Sequence, residues 1–258
     1  MNYEEILYST DGPVGFLTLN NPSKINAISI KMVAEITDAL TRISEDESVK
    51  VLIIKAEGKH FCAGHYLAEM VDQGTKEYQS IFEKCTRMMQ LIHEIPQIVI
   101  AQVQGIATAA GCQMVAWCDL AVAETGARFA TPGVKIGLFC TTPMVAITRA
   151  IGRKAAMEML VTGRYFPAQE AKEIGLINKV VPLSDLAEET EAMARQIAEA
   201  SGFVLGMGKQ SFYAQIDEAD DKAFDYATRT MTVNSGAVDA RNGITAFLNK
   251  KKPEWENR

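Results

Sequence analysis

The stretch GIATAAGCQMVAWCDL, residues 105–120, is the most informative segment of this sequence for its fold. Its small residues predict a tight turn, a compact helix that begins at Ala110, and then a strand over residues 120–123. The first turn of that helix carries Gln113, an amide where a catalytic helix would offer an acid. A helix start beneath a loop leaves unpaired N–H donors, which suit a developing oxyanion. Close packing of the helix against a sheet would explain the same small residues.

Strands and helices alternate upstream of this stretch. Apolar runs predict strands over residues 14–19, 51–54 and 98–103. Between them, a helix capped by Ser29 is predicted to turn an apolar stripe inward, formed by Ile30, Val33, Leu40 and Ile43. A second amphipathic helix is predicted over residues 76–93. The alternation indicates an α/β fold with a mainly parallel sheet.

The pattern changes towards the C-terminus. From about Pro143 onward it is mostly helical, with Gly163 and Gly175 as predicted helix stops. Residues 201–250 predict helices without a convincing strand. We therefore predict a core over residues 1–200 and a helical C-terminal region over residues 201–258 that packs on the core or on a neighbouring subunit.

Composition excludes several classes of function. The net charge is −6 and the hydrophobic fraction is 48%, which argues against bulk binding to nucleic acid or to an anionic membrane. No window approaches the roughly 18 apolar residues of a membrane span. The acidic N-terminal residues 1–10 do not have the pattern of a signal or transit peptide. With five cysteines, an odd number, we expect reduced thiols and a cytoplasmic protein.

The turn HFCAGH, residues 60–65, contains three metal-ligand types. His60, Cys62 and His65 do not have the spacing of a zinc finger, and no second Cys/His cluster follows. We therefore predict no metal. A tight turn that bends at Gly64 is the simpler interpretation, and a turn that aims backbone N–H groups into a pocket is another.

Other candidate chemistry is weaker. The thiols of Cys112 and Cys140 could act as nucleophiles, but buried free cysteines are common core residues. Lysines at residues 250–252 indicate a solvated tail or, beside Phe247, contacts to ligand phosphates. The sequence contains no Walker motif, dinucleotide fingerprint or nucleophile elbow.

Six segments share one order and spacing with a known family. They are NPSKINAIS (21–29), FCAGHYLAEM (61–70), GIATAAGCQMVAWCD (105–119), RFATPGVKIGL (128–138), TRAIGRKAAMEMLVTGR (148–164) and PAQEAKEIGLINKVV (167–181). In these segments the chain resembles the enoyl-CoA hydratase/isomerase family, the crotonases, and especially its domain-containing homologues. The resemblance implies a ClpP-like spiral of ββα turns with a helical C-terminal trimerisation region. It also implies homotrimers or dimers of trimers.

The resemblance further implies acyl-CoA thioesters as partners, with coenzyme A as part of the substrate and no separate cofactor. The thioester carbonyl would lie between the main-chain N–H groups of His65 and Ala110. Losing one such donor costs roughly 10²–10³ in rate. Carried over by motif, the catalytic positions are His65, Ala110 and Gln113. The expected substrate-binding residues are Lys24, Ile25, Ala27, Ala63, His65, Tyr66, Leu67, Gly111, Gly133, Phe247 and Lys250.

The chain departs from the family pattern at both acidic positions. Classical hydratases hold water with two glutamates, and the matching positions here are Gln113 and Gly133. Glutamine can orient water but cannot accept its proton, and glycine can do neither. A positioned acid or base is worth about 10²–10⁴-fold in rate, so efficient hydration of crotonyl-CoA is not expected.

Three interpretations remain open. One is an acyl-CoA enzyme that stabilises a thioester enolate, with the base supplied by the His65 ring, Glu69, a water held by Gln113 or, less well, Cys140 or Thr141. A second is a specialised isomerase, lyase or thioester hydrolase that uses the Gln113-held water. A third is a non-catalytic acyl-CoA sensor or scaffold. For Glu69 an exposed helix carboxylate is the simpler interpretation.

Overall fold

The computed structural model describes residues 3–258, so Met1 and Asn2 of the N-terminal segment discussed above lie outside it. The main sheet contains six strands in the order β1-β2-β3-β4-β6-β9. Their bounds are β1 Ile6–Asp11, β2 Val14–Leu19, β3 Val51–Ala56, β4 Ile98–Val103, β6 Leu120–Glu124 and β9 Lys179–Val181. Only the β1–β2 pair is antiparallel in this sheet, which confirms the predicted α/β fold with a mainly parallel sheet.

A smaller sheet contains three short strands in the order β5-β7-β8. They are β5 Ile106–Thr108, β7 Arg128–Ala130 and β8 Phe166–Pro167. Two consecutive turns of chain have the same construction: β4, β5 and the helix Ala110–Trp117, then β6, β7 and the helix Thr141–Ala150. In each turn the first strand joins the large sheet and the second joins the small sheet. The chain therefore advances as a spiral of ββα turns.

Ten α-helices surround these sheets in the described part of the chain. They are α1 Ile30–Ser44, α2 Thr75–Glu94, α3 Ala110–Trp117, α4 Thr141–Ala150, α5 Arg153–Thr162, α6 Ala168–Glu173, α7 Leu186–Ala198, α8 Gly202–Gln215, α9 Asp220–Gly236 and α10 Val238–Leu248. Ser29 caps α1 as predicted, since its hydroxyl accepts a hydrogen bond from the Met32 N–H. None of the described helices is long and apolar enough to cross a membrane.

The main sheet is covered on both faces. Leu52 and Ile54 of β3 pack into the core formed with α1, α2 and α3, whereas Val51 and Ile53 pack into a second cluster with α7. This two-sided burial explains why β3 is a continuous apolar run rather than an alternating one.

Several local predictions need correction. Ile30, which we expected in the inward stripe of α1, is 46% exposed because it lies in the first turn, at the rim of a cavity described below. Strand β1 was not predicted, because it is an edge strand that is mostly solvent-facing and whose second half is polar. The strands of the small sheet were not predicted either, because they are two or three residues long, too short to show a period.

The division into a core and a C-terminal helical region stays a prediction. Helix α8 begins at Gly202, close to the expected boundary, and packs against α2 and β4. Lys209 of α8 donates hydrogen bonds to the carbonyls of Ile92 and Gln97 and pairs with Asp119. This buried ammonium fastens the first of the three C-terminal helices to the core.

Candidate active site

Two segments from the sequence analysis lie side by side. The Ala63 N–H donates to the Ile25 carbonyl at 3.0 Å, and the Ile28 N–H donates to the Gly64 carbonyl at 2.7 Å. Ile25 and its neighbour Asn26 both have positive φ, 54° and 49°, which folds the chain back at this point. The expected binding residues 24–27 therefore stand next to residues 63–67.

This pairing leaves the main chain of His65 facing away from residues 25–28. Gly64 supplies the carbonyl and Tyr66 supplies the N–H that bond to Ile28. Because successive residues of an extended chain direct their N–H groups to opposite sides, the His65 N–H points the other way. Within residues 3–258 it has no hydrogen-bond acceptor.

Gly64 brings this segment against the start of α3. It has a φ of 94°, and a Cβ on it would lie 2.8 Å from the Ala109 Cβ and 3.4 Å from the Ala110 nitrogen. Only glycine adopts this backbone conformation readily and also leaves room for so close an approach. The residue that precedes His65 thus packs directly on the residues that begin the helix.

The turn into α3 is strained at Ala109. Its φ and ψ are 50° and −117°, a conformation that costs an L-residue on the order of 1–3 kcal/mol. The Ala109 N–H donates to the Ala130 carbonyl at 2.9 Å, which helps to hold the turn. The next residue, Ala110, is fully buried, and its N–H finds no acceptor among the described residues.

Gln113 lies one turn into α3 and is only 6% exposed. Its carboxamide oxygen, Oε1, is buried and accepts no hydrogen bond from the described chain. Leaving a buried amide oxygen without a partner costs about 1–3 kcal/mol. A bound donor such as water would remove this cost, so we expect the oxygen to accept a hydrogen bond from one.

Gly133 occupies a site with no room for a side chain. It is buried, and a Cβ on it would lie 2.7 Å from the Leu138 carbonyl oxygen and 2.9 Å from the Cys140 Sγ. Because the first of these neighbours is backbone, the contact cannot be relieved by turning a side chain. A larger residue at this position would require the segment 133–140 to move.

The cysteine thiols are poorly suited to nucleophilic attack. Burial raises the pKa of the Cys112 thiol to about 12, and burial also raises the pKa of the Cys140 thiol above its ordinary value. Both groups are therefore protonated at neutral pH, and the thiolate is the reactive form. This favours the interpretation of these cysteines as core residues.

A cavity of about 340 Å³ opens beside His65. It lies between the 3-10 turn Leu67–Glu69, the first turns of α1 and the N-terminal half of α2. Its lining residues are Ile28, Ser29, Ile30, Val33, His65, Tyr66, Glu69, Met70, Gln73, Lys76, Glu77, Ser80, Ile81 and Lys84. Of the described site residues expected from the sequence, His65 and Tyr66 line it, together with the candidate base Glu69.

Side chains at the edge of this cavity contact one another or the start of α1. The Lys24 ammonium lies 4.1 Å from the centre of the Tyr66 ring, a cation–π contact. The Glu69 carboxylate accepts a hydrogen bond of 2.8 Å from the Ile30 N–H at the start of α1. Glu69 is therefore a helix-capping group in this structure and not the freely exposed carboxylate that we considered.

Most residues of the cavity wall could not be predicted from sequence patterns. The amphipathic stripes of α1 and α2 indicate which side of each helix is buried, and Val33 follows that rule. They do not show that a space remains between the first turns of α1 and the N-terminal half of α2. The polar members, such as Ser80 and Lys84, look like solvated positions in the sequence and carried no signal.

Two expected residues lie apart from the rest within one chain. Helix α10 packs against α9, and Phe247 near its end is 82% exposed. Lys250 follows α10 and is also exposed. Neither lines the cavity beside His65.

The turn HFCAGH does not gather its possible ligands. The Gly64 N–H donates to the Cys62 Sγ at 3.4 Å, and the His60 ring fits over Gly105, where a Cβ would lie 2.3 Å from its Nδ1. Within residues 3–258 no three His, Cys, Asp or Glu side chains come together in a way that could hold a metal ion.

Comparison with known proteins agrees with this architecture. The family model described as enoyl-CoA hydratase/isomerase matches residues 9–258. A mouse protein named enoyl-CoA hydratase domain-containing protein 3, mitochondrial, is 44% identical over 93% of this chain and 81% of its own length.

Two solved structures superpose over nearly the whole chain. A crystal structure of an enoyl-CoA hydratase from Mycobacterium smegmatis has a TM-score of 0.96 and 46% identity, and covers 98% of this chain and 99% of its own. A crystal structure of human enoyl Coenzyme A hydratase domain-containing protein 3 has a TM-score of 0.95 and 43% identity, and covers 98% of this chain and 100% of its own.

These names correct one prediction. We expected a cytoplasmic protein from the cysteine usage and the N-terminal residues, but the mouse, human and rat relatives are all named mitochondrial. The cytoplasmic prediction is therefore wrong. Reduced thiols do not distinguish the cytoplasm from other reducing compartments, so the cysteine count could not support it.

Two implications of the resemblance, the fold and the family, agree with the comparisons. Both superpositions confirm the crotonase fold. All six quoted segments lie within residues 9–258, which the family model matches. This chain therefore belongs to the enoyl-CoA hydratase/isomerase family.

Proposed function

We propose that this protein binds acyl-CoA thioesters and stabilises an enolate of the acyl group. The thioester oxygen would accept hydrogen bonds from the main-chain N–H groups of His65 and Ala110. Coenzyme A enters as part of the substrate, and no other cofactor is required. We further propose that the protein is not an efficient two-glutamate hydratase.

One observation carries the first proposal. The N–H groups of His65 and Ala110 have no acceptor among residues 3–258, and a Cβ on Gly64 would lie only 2.8 Å from the Ala109 Cβ and 3.4 Å from the Ala110 nitrogen. Preorganised donors of this kind act where negative charge develops in the transition state. The strain at Ala109 supports the idea, because unusual backbone conformations cluster at functional sites.

The second proposal rests on the two positions that the resemblance equates with glutamates. Gln113 cannot accept a proton from water, whatever its orientation. Gly133 has no side chain, and the backbone around it leaves no space for one. Neither position can therefore supply a general base, and a missing base costs about 10²–10⁴-fold in rate.

The buried, unpartnered carboxamide oxygen of Gln113 favours a second candidate. It could hold a water molecule against the acyl group, as an isomerase, lyase or thioester hydrolase of this family would need. If nothing uses that water, the same site describes a non-catalytic acyl-CoA sensor or scaffold.

Assembly is part of the proposal. Large apolar side chains are exposed along α9 and α10: Phe224, Met231, Val233, Ile244, Phe247 and Leu248. So much exposed apolar surface is typical of a subunit interface. A homotrimer or a dimer of trimers would cover it, and could carry Phe247 and Lys250 of one subunit to the nucleotide end of a ligand on another. Sedimentation of the purified protein tests the assembly.

Paired binding and turnover measurements test the proposed function. We expect calorimetric titration with butyryl-CoA and crotonyl-CoA to give saturable binding, and we expect hydration of crotonyl-CoA at neutral pH to be slow. Fast hydration that disappears in Gln113→Ala would contradict the loss of hydratase chemistry. Absence of binding to either thioester would contradict the ligand class.

A further inference from the structure

The cavity beside His65 contains several groups that could take part in proton transfer. Its ionisable members are His65, Tyr66, Glu69, Lys76, Glu77 and Lys84. An efficient acid–base group needs a pKa near the working pH, so that both protonation states are accessible. Histidine is the side chain of this set that meets the requirement at neutral pH.

The four fully charged members have other positions or other partners. Lys76, Glu77 and Lys84 lie on the exposed face of α2, at the mouth of the cavity. Glu69 uses its Oε2 to accept the hydrogen bond from Ile30 at the N-terminus of α1. Protonation of this carboxylate would remove its negative charge and weaken the hydrogen bond that it accepts from the Ile30 N–H.

The His65 ring has unfilled hydrogen-bonding capacity. Its Nε2 is buried and has no partner in the described chain, and its ring meets the Phe82 ring edge to face, with centroids 5.5 Å apart. Its Nδ1 likewise forms no hydrogen bond with residues 3–258. His65 also lines the cavity, so its imidazole can meet a molecule bound there without losing a hydrogen bond to the described residues.

Burial favours the form of the ring that accepts protons. It lowers the pKa of the His65 imidazole below the ordinary 6.5, so the neutral ring dominates at pH 7. A neutral imidazole accepts a proton through its unprotonated nitrogen. The charges that face the ring's cavity, Glu69 and Glu77 against Lys76 and Lys84, cancel formally.

We infer that the imidazole of His65 is the acid–base residue of the proposed reaction, and that it moves the α-proton of the bound acyl thioester. This inference rests on the proposed function. The Cα–H bond breaks and the proton bonds to the ring nitrogen. The electron pair of that bond forms the C=C bond of the enolate, and the carbonyl π pair moves onto the oxygen. The imidazolium then returns the proton to the α-carbon or, in an unsaturated acyl group, to the γ-carbon.

The geometry of a single residue makes this arrangement economical. The main-chain N–H of His65 is proposed to bind the thioester oxygen, and the α-carbon is two bonds from that oxygen. The ring belongs to the same residue, so it lies within one side-chain length of both. His65 is the one histidine among the described residues that line the cavity. Gln113 can accept a hydrogen bond but not a proton.

Exchange of the α-protons of butyryl-CoA in D₂O, followed by mass spectrometry, tests the inference. We expect His65→Gln to lower the exchange rate about 10²–10⁴-fold and to change the calorimetric Kd for butyryl-CoA much less, because the main-chain N–H is retained. The exchange rate of the unmodified protein should fall with acid through one inflection below pH 6.5, and this inflection should be absent from the variant.

His60→Gln is the matched control. His60 also has a buried ring nitrogen without a partner, but it does not line the cavity. We expect the His60→Gln variant to exchange the α-protons of butyryl-CoA at the rate of the unmodified protein. His65→Asn provides a second variant should His65→Gln fold poorly, with circular dichroism to verify the fold of each.

The outcomes separate the inference from the proposed function. Unchanged exchange in His65→Gln and His65→Asn would overturn the inference and leave the enolate site intact. Binding of butyryl-CoA without exchange in the unmodified protein would overturn the inference and favour the sensor interpretation. Absence of both binding and exchange would overturn the proposed function as well.

Discussion

A Cβ atom on Gly64 would lie 2.8 Å from the Cβ of Ala109. The two residues come from separate segments of the chain, and Ala109 leaves no room for a side chain at position 64. Each immediately precedes one of the two N–H groups, those of His65 and Ala110, that have no acceptor in the described chain. We therefore expect this contact to set the spacing of the two N–H groups in the proposed thioester site.

Gly64→Ala should disrupt the site. It combines a φ of 94° with contacts at 2.8 Å and 3.1 Å to Ala109 and the Thr108 carbonyl. We expect a loss of about 1–3 kcal/mol in the free energy of unfolding. We also expect a drop of roughly 10²–10³ in α-proton exchange, as for the loss of one oxyanion donor. Urea unfolding and the exchange assay measure the two effects.

Gly12→Ala is the control for backbone strain alone. Gly12 has a φ of 56°, and a Cβ on it would meet nothing within 4 Å. It should cost about 1–2 kcal/mol in stability and leave exchange unchanged. Equal exchange in Gly64→Ala and the unmodified protein would show that the 64–109 contact does not set the site.

Restoring the two glutamates of the family pattern should not create a hydratase. Gln113→Glu is nearly isosteric, whereas Gly133→Glu places a Cβ 2.7 Å from the Leu138 carbonyl oxygen. We expect the double variant to lose about 1–3 kcal/mol in stability from overpacking and to hydrate crotonyl-CoA no faster than Gln113→Glu alone. A double variant that is stable and hydrates at least ten times faster than the single variant would refute the packing argument.

Lys209 should be essential for the attachment of α8. Its ammonium donates at 2.6 Å and 2.8 Å to the carbonyls of Ile92 and Gln97, and it lies 2.8 Å from the Asp119 carboxylate. Removing one partner of a buried ion pair leaves an uncompensated charge, so Lys209→Met should cost about 3–5 kcal/mol.

Lys222→Met is the surface counterpart of that variant. The Lys222 ammonium lies 4.0 Å from Glu218 with 74% of its side chain exposed, so we expect a change within about 0.5 kcal/mol. Urea unfolding of both variants provides the comparison. Similar small losses in both would mean that α8 is held by its other contacts.

His93 should make stability depend on pH. Its ring is stacked between Trp117 and Tyr213, with centroids 4.0 Å and 3.6 Å away. Burial and the Lys209 charge lower its pKa from 6.5 to about 3. Between these values the unfolded chain binds the proton and the folded chain does not. Stability is therefore lost as pH falls from 6.5, by at most about 1.4 kcal/mol per pH unit.

His93→Phe retains the stacked ring and removes the titration. We expect its unfolding free energy to vary less than that of the unmodified protein between pH 6.5 and pH 5, where carboxylates contribute little. Parallel curves for the two proteins over this interval would contradict the assignment of the slope to His93.

Much of the fold could be predicted from the sequence because its central strands and helices are long and strongly patterned. Residues 51–54 and 98–103 are strands as predicted, and Ser29 caps α1. The short strands of the small sheet escaped prediction because they depend on pairing between distant residues, such as Ile106 with Arg128, and not on local periodicity.

The candidate site was predictable only where a motif carried it. The residues flanking His65 and Ala110 could be selected from two small-residue turns, but the contact of Gly64 with Ala109 is a tertiary feature. The cavity wall on α2 had no signature, since Ser80 and Lys84 have the composition of a solvated face. The lack of space at Gly133 likewise depends on Leu138 and Cys140, which only the folded chain brings there.

The vibrational frequency of the thioester carbonyl in bound butyryl-CoA tests the central claim most directly. Isotope-edited infrared difference spectra, with ¹³C at the carbonyl, report hydrogen bonding to that one oxygen. We predict a shift to lower frequency on binding, reduced in Gly64→Ala and preserved in Gly12→Ala. A bound thioester whose carbonyl absorbs as it does in water, in all three proteins, would contradict the account.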